Sequence, residues 1–193
     1  KRQILGWGGT NYDNSKIGVW EINESMLKIN EMAERLNEQI PKNFTCSKRK
    51  KEWVCTRALL KKISGQSKIF YDSSGSPKID EKFISISHST KLVAIILSDK
   101  NCAIDVQEIS EKSKVLLSKF SNKKNLNKKE STTVWSTKEC IFKLHKTKKI
   151  NFKNDIAVET NNIQKNNKVF AVYNNHTYTL NMFTFKKHII VYL

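Results

Sequence analysis

Asp105 stands inside an apolar run, A-I-D-V-Q (Ala103–Gln107), where a carboxylate without a partner would be costly to bury. Upstream, Ser87, His88 and Ser89 close another apolar run. Downstream, W-S-T-K-E-C-I-F-K-L (Trp135–Leu144) sets Lys138, Glu139 and Lys143 close together. Carboxylates, a histidine and lysines in this order are groups that could converge on a metal and a polyanionic ligand. The plain alternative is that Asp105 caps or pairs locally.

Placing Val134–Leu144 at helical intervals puts Val134, Trp135, Ile141, Phe142 and Leu144 on one broad apolar arc. Lys138 falls in the middle of that arc, and Glu139 and Lys143 lie together at its edge. An i,i+4 surface pair worth a few tenths of a kcal/mol accounts for the last two. It does not account for a core-facing ammonium at Lys138. Arg57, four residues after Trp53 and three before Leu60, is likewise embedded in an apolar helix side, where a guanidinium either snorkels or meets an anion. Lys48, Arg49, Lys50 and Lys51 crowd the first turns of the same helix, whose dipole prefers anions there. A bound phosphate would relieve this, as would solvent and salt.

The elements that must position these groups are legible from periodicity. Ile17–Ile22 reads as a strand. A helix capped by Asn23 or Ser25 runs through Ile40, and a second covers Ser47–Ile63 with Gly65 closing it. Lys68–Tyr71 is a short strand before the turn Asp72–Pro77. Three strands follow, Phe83–Ser87, Leu92–Leu97 and Cys102–Val106. Ser110–Phe120 is helical, Ser121–Lys129 a lysine-rich loop, and Thr132–Leu144 a helix. Ile156–Glu159, Val169–Tyr173, Tyr178–Phe185 and Ile189–Leu193 are strands joined by Asn-rich turns. The order strand, two helices, strands thus occurs twice, which suggests an α+β chain of two similar halves, 1–100 and 101–193, with a cleft between them.

Lys+Arg 35 against Asp+Glu 18 gives +17 over 193 residues, an affinity for something negative or a solvated lysine-rich surface. A nucleic-acid-binding protein is a candidate on charge alone, but no nucleic-acid motif or aromatic stacking platform accompanies the lysines, so specific nucleic-acid binding is not expected. No apolar run reaches the length of a membrane span, and Lys1–Thr10 does not read as a signal peptide, so a cytoplasmic protein is expected. Cys46, Cys55, Cys102 and Cys140 form no CxxC pair and read as reduced thiols.

Taken together, I-S-I-S-H-S, A-I-D-V-Q and W-S-T-K-E-C-I-F-K-L resemble the signature of the Sfp-type 4′-phosphopantetheinyl transferases. The family pattern is S-H-S, then G-I-D-(I/V)-E, then W-(S/T)-x-K-E-(A/S)-x-x-K. R-A-L-L (Arg57–Leu60) before the Y-D-x-x-G-x-P turn also fits, and the resemblance covers roughly Ser47–Phe152. It implies a pseudo-twofold pair of α+β halves, with the metal site in the second. It also implies a monomeric enzyme that moves the phosphopantetheine arm of coenzyme A onto a serine of an acyl or peptidyl carrier protein, with Mg²⁺. On this resemblance Asp105 and Glu139 match the metal carboxylates, with position 107 as a further ligand. Lys143 and Lys138 match the helix lysines, Lys143 being expected at the pyrophosphate. Ser87 and His88 match the coenzyme-binding S-H-S, with His88 at the 3′-phosphate. Arg57, Lys48 and Arg49 fall where further phosphate contacts arise, and Glu139 and Lys143 would carry the catalysis.

The chain departs from the pattern at four places. Gln107 replaces the usual glutamate; on a strand it shares a face with Asp105 and offers an amide oxygen, so Mg²⁺ should bind less tightly. The acidic residue usual a few positions after the Phe of the following helix has no match in S-N-K-K-N after Phe120, Ser76 stands where the turn lysine is usual, with Lys78 two residues on, and His145–Phe152 lacks the usual glycine. Two readings follow: a working transferase that tolerates these changes, or a coenzyme A-binding relative with weakened catalysis.

Overall fold

The computed structural model describes residues 15–146, 150–160 and 167–193. The chain is mixed α+β and divides into two compact units, one ending at Cys102 and one running from Ala103 to Leu193.

In the first unit, β1 (Lys16–Glu21) is followed by helices α1 (Met26–Arg35) and α2 (Ser47–Ser64). Then come the short pair β2 (Phe70–Tyr71) and β3 (Pro77–Lys78), and strands β4 (Phe83–Ser89) and β5 (Leu92–Ser98). The three-stranded sheet has order β1-β5-β4, antiparallel throughout. The nearly continuous apolar run of β5 is explained by its central place: every residue from Leu92 to Ser98 is buried. Ile29, Val54, Leu59 and Leu60 fill the core with Val93, Ile95 and Leu97. Gly18 lets β1 come close to α2, since a Cβ there would lie 2.7 Å from Leu59 Cδ1.

Ser25 is the cap of α1, its hydroxyl accepting from the Lys28 N–H at 3.3 Å. The helix does not reach Ile40. Asn37 takes the left-handed conformation (φ 53°), and the N–H groups of Asn37 and Glu38 return to the carbonyls of Glu34 (2.9 Å) and Ala33 (3.0 Å). That is a Schellman ending with Asn in the place glycine usually takes. Leu36 and Ile40 still pack against the core from outside regular helix. Gly65 (φ 82°) ends α2 as the sequence predicts.

The second unit runs β6 (Ile104–Glu108), α3 (Glu111–Val115), α4 (Leu117–Phe120), α5 (Lys128–His145), β7 (Ala157–Val158), β8 (Lys168–Tyr173), β9 (His176–Phe185) and β10 (His188–Tyr192). Its sheet has order β6-β10-β9-β8-β7, again antiparallel. The single helix expected over Ser110–Phe120 is two short ones meeting at Leu116, and the Ser113 hydroxyl donates back to the Ser110 carbonyl (2.9 Å). The α5 helix begins a turn earlier than periodicity indicates. Asn127 caps it, accepting from Lys129 (2.9 Å) and Glu130 (3.0 Å), while Glu130 accepts from the Asn127 N–H (2.9 Å). This N-x-x-E capping box was hidden within a stretch whose lysines read as loop. Buried Val134, Cys140 and Ile141 lie in one core with Val169, Ala171, Leu180, Ile189 and Val191. Beside them Trp135 sits between Phe120 and Phe152, with ring centroids 4.9 and 5.4 Å away, and Phe142 packs on Phe152 at 5.4 Å.

No helix among the described residues is long and apolar enough to cross a membrane. The four cysteines are free thiols, Cys46 exposed and the other three buried.

Candidate functional site

Alternation along β6 sends Asp105 and Gln107 to the same face. Helical spacing along α5 puts Ser136, Glu139 and Lys143 on one side of that helix. The fold brings these two sets together across 31 to 38 residues of chain. Asp105 is 2% exposed. Its Oδ1 accepts from the Lys143 ammonium at 2.7 Å, and its Oδ2 accepts from the Ser136 hydroxyl at 2.9 Å and the Gln107 amide at 3.0 Å. Lys143 also donates to the Ile104 carbonyl at 2.9 Å.

Glu139 completes the group. Burial, reinforced by the charge of Asp105 and opposed by Lys143, raises its carboxyl from 4.5 to about 7. No hydrogen bond or ion pair holds this carboxylate among the described residues, so it is the member of the cluster left for something brought in from outside.

The donor set fits a hard divalent cation. Mg²⁺ takes oxygen ligands and keeps several waters, and Asp105, Glu139 and the amide oxygen of Gln107 are oxygens on two rigid elements. Gln107 directs its NH₂ at Asp105, which leaves its carbonyl oxygen as the free end of the amide. Among the described residues no three His, Cys, Asp or Glu side chains gather as a metal-holding group. The neutral residue at 107 is why only two carboxylates stand here.

Lys138 goes elsewhere. It is 2% exposed and shares a helix face with Trp135 and Phe142. Phe152, packed on both rings, brings the following turn within reach, so the ammonium donates to the Phe152 carbonyl (2.5 Å) and to the Ile156 carbonyl. Burial lowers this lysine to about 8, and Asp155 partly opposes the shift. On the family resemblance Lys138 is expected to join Lys143 as a ligand lysine. In the structure it is a core cation held by main-chain oxygens, and it does not join the Asp105 group.

The remaining candidates lie in the first unit. A groove of about 680 Å³ is bounded by α2, residues 41–44, Tyr71, the following turn and β4. Arg49 and Arg57 bring positive charge to it, Glu52 brings a carboxylate beside His88, and Phe44, Trp53 and Tyr71 give it aromatic walls. Arg57 is 5% exposed; its guanidinium lies 3.5 Å from the Trp53 ring centroid and donates to the Trp53 carbonyl at 3.4 Å. Its Nε lies 3.6 Å from Glu38 Oε2 without a hydrogen bond among the described residues. Burial lowers the Arg57 pKa while Tyr71 and Glu38 oppose the shift, and a guanidinium remains charged. Arg49 lies over Phe44 at 4.7 Å. His88, with its side chain 53% exposed, points Nδ1 to within 3.7 Å of Glu52 Oε2.

Two expected members do not line the groove. Ser87 alternates to the other face of β4 and is buried. Lys48 is exposed beside Glu52, at 3.8 Å. In the turn, Asp72 gathers the N–H groups of Ser74 (3.0 Å) and Ser76 (2.9 Å), and Lys78 approaches this aspartate (3.9 Å). Thr147–Lys149, within the glycine-free stretch, lie outside the described residues.

Sequence reasoning did not single out Ser136, Glu38 or Glu52. Ser136 could have been found from its helical spacing to Glu139 and Lys143. The two glutamates carry no local signal, since what distinguishes them is that the fold sets them among cations.

The chain matches no protein-family model, and no curated protein is significantly similar to it.

Proposed function

We propose that this chain is a Mg²⁺-dependent 4′-phosphopantetheinyl transferase acting on coenzyme A and an acyl or peptidyl carrier protein. The reading also takes the two units as the two related α+β halves of that family's fold. The observation that carries it is the meeting of Asp105, Gln107, Glu139 and Lys143: residues singled out by an ordered motif resemblance form one group, in which Gln107 and Lys143 hold the buried Asp105 and the Glu139 carboxyl is raised beside them. The groove that holds Arg49, Arg57 and His88 beside aromatic walls adds the chemistry a phosphorylated nucleotide needs.

Asp105 and Glu139, with the Gln107 amide oxygen, would hold the metal. Bound there, Mg²⁺ supplies charge neutralisation at a pyrophosphate. The carrier serine oxygen would form a bond to the phosphorus that carries the pantetheine arm as its O–H bond breaks and the proton passes to water. The P–O bond within the pyrophosphate breaks, and adenosine 3′,5′-bisphosphate leaves with the electron pair. Lys143, 2.7 Å from Asp105, would place an ammonium at that chemistry. Arg57 and His88 would bind the nucleotide phosphate, with Trp53 stiffening the guanidinium. The net charge of +17 favours encounter with acidic carrier proteins.

Incubation with coenzyme A, Mg²⁺ and apo carrier proteins, read by mass spectrometry, tests this. A gain of one phosphopantetheine on the carrier serine is expected. Coenzyme A binding without transfer to any carrier would point to a catalytically weakened relative, and neither binding nor transfer would end the reading.

A further inference from the structure

Gln107, Ser136 and Lys143 donate to Asp105, and of these Lys143 brings a positive charge. Its Nζ is 2.7 Å from Oδ1 and 2.9 Å from the Ile104 carbonyl, one anion and one main-chain oxygen of β6. A small cation held by a carboxylate and a carbonyl oxygen is what a metal would otherwise provide at this position.

The partners differ in freedom. The Asp105 side chain is 3% exposed and rooted in strand β6, whereas that of Lys143 is 27% exposed, in the last turn of α5. The ammonium therefore has a way out to water that the carboxylate lacks. Gln107 bears on this as well. With a carboxylate at 107, one lysine would face three acids. With an amide there, Asp105 is paired with Lys143 and further held by the Gln107 and Ser136 donors, so this carboxylate is satisfied without any ion.

We propose that Lys143 is a tethered cation that occupies the place of the divalent ion in the metal-free protein and must leave Asp105 for the ion to bind, so that this residue sets the metal affinity. The inference rests on the reading of Asp105 and Glu139 as metal ligands. Two cations sharing one buried carboxylate repel each other strongly at such distances, and the mobile one yields. Lys143 is thus a positioning residue for the metal-free state, released when the ion arrives.

Calorimetric titration of the full chain with Mg²⁺ at pH 8 tests it. Lys143→Met is expected to bind Mg²⁺ roughly tenfold or more tightly than the unaltered protein, while Lys143→Arg, which keeps a cation, stays within about threefold. Equal or weaker binding by Lys143→Met overturns the proposal. If that variant does not fold, the ¹³Cε resonance of Lys143, assigned by its loss in Lys143→Arg, is followed in the unaltered protein. It is expected to shift in step with Mg²⁺ saturation, and an unmoved resonance at saturation overturns the proposal. Absence of Mg²⁺ binding in the unaltered protein and in both variants would overturn the metal-site reading itself, and this inference with it.

Discussion

The side-chain amide of Gln107 donates to Oδ2 of Asp105 at 3.0 Å, so two residues of one strand face form a hydrogen-bonded pair. A glutamate at 107 would bring repulsion to the same place. Gln107→Glu is therefore expected to lower metal-free stability by about 1–3 kcal/mol, through loss of a donor to a buried carboxylate, and to tighten Mg²⁺ binding. Chemical denaturation with and without Mg²⁺ checks both halves. Unchanged metal dependence would show that position 107 does not ligate the ion.

Glu139 gives the protein a pH dependence with a definite sign. Its carboxyl is raised from 4.5 to about 7 in the folded chain. Between those values the folded state holds a proton that the unfolded state has released, so this group's contribution to stability falls as pH rises through that window. Glu139→Gln should remove the fall, leaving the variant more stable than the unaltered protein at pH 8 by on the order of 2 kcal/mol. Denaturation midpoints of both proteins from pH 4 to 8, without metal, measure it.

Lys138 has the opposite slope. Burial lowers it from 10.5 to about 8. Between these values the unfolded chain carries a proton that the folded chain has lost, so stability from this group rises with pH by up to about 3 kcal/mol. A neutral amine still has donors for the Phe152 and Ile156 carbonyls. Lys138→Met strands those carbonyls, at a cost of about 1–3 kcal/mol near pH 7, and the deficit should widen above pH 8. A difference curve between the two proteins, flat above pH 8, would count against the assignment.

Arg57 is stacked on Trp53 as a planar group, a contact lysine cannot reproduce. Arg57→Lys should weaken binding of adenosine 3′,5′-bisphosphate by about tenfold, the loss of one charge-assisted bond. Calorimetry in the absence of metal isolates this effect from the Asp105 cluster.

Gly18→Ala tests the packing of β1 on α2. The new Cβ would meet Leu59 Cδ1 at 2.7 Å and Ile63 Cγ2 at 3.2 Å, and Leu59 is fully buried. A loss of about 1–3 kcal/mol is expected from overpacking, read as a lower thermal midpoint.

Much of the fold was legible because element type is set by local sterics and by which side chains must avoid water. Apolar periodicity located every strand of the two main sheets within two or three residues, and Gly65 marked the end of α2. The misses are places where a polar residue overrides periodicity. Asn37 ends α1 through a left-handed turn while apolar residues continue to Ile40. Asn127 starts α5 inside a lysine-rich stretch through a capping box.

The sequence by itself determined which residues share a face. Asp105 and Gln107 alternate together on β6, and Ser136, Glu139 and Lys143 recur together on α5, because period-two and period-3.6 geometry needs no long-range information. Tertiary structure alone decided what those faces meet. Packing of α5 over β6 and β10 turned Lys143 from a surface partner of Glu139 into the counter-ion of Asp105. Phe152, seated on Trp135 and Phe142, turned Lys138 inward to main-chain carbonyls. Side chains of identical type, five residues apart on one helix, thus have different roles, since a buried ammonium takes whichever oxygens the surrounding fold places within reach.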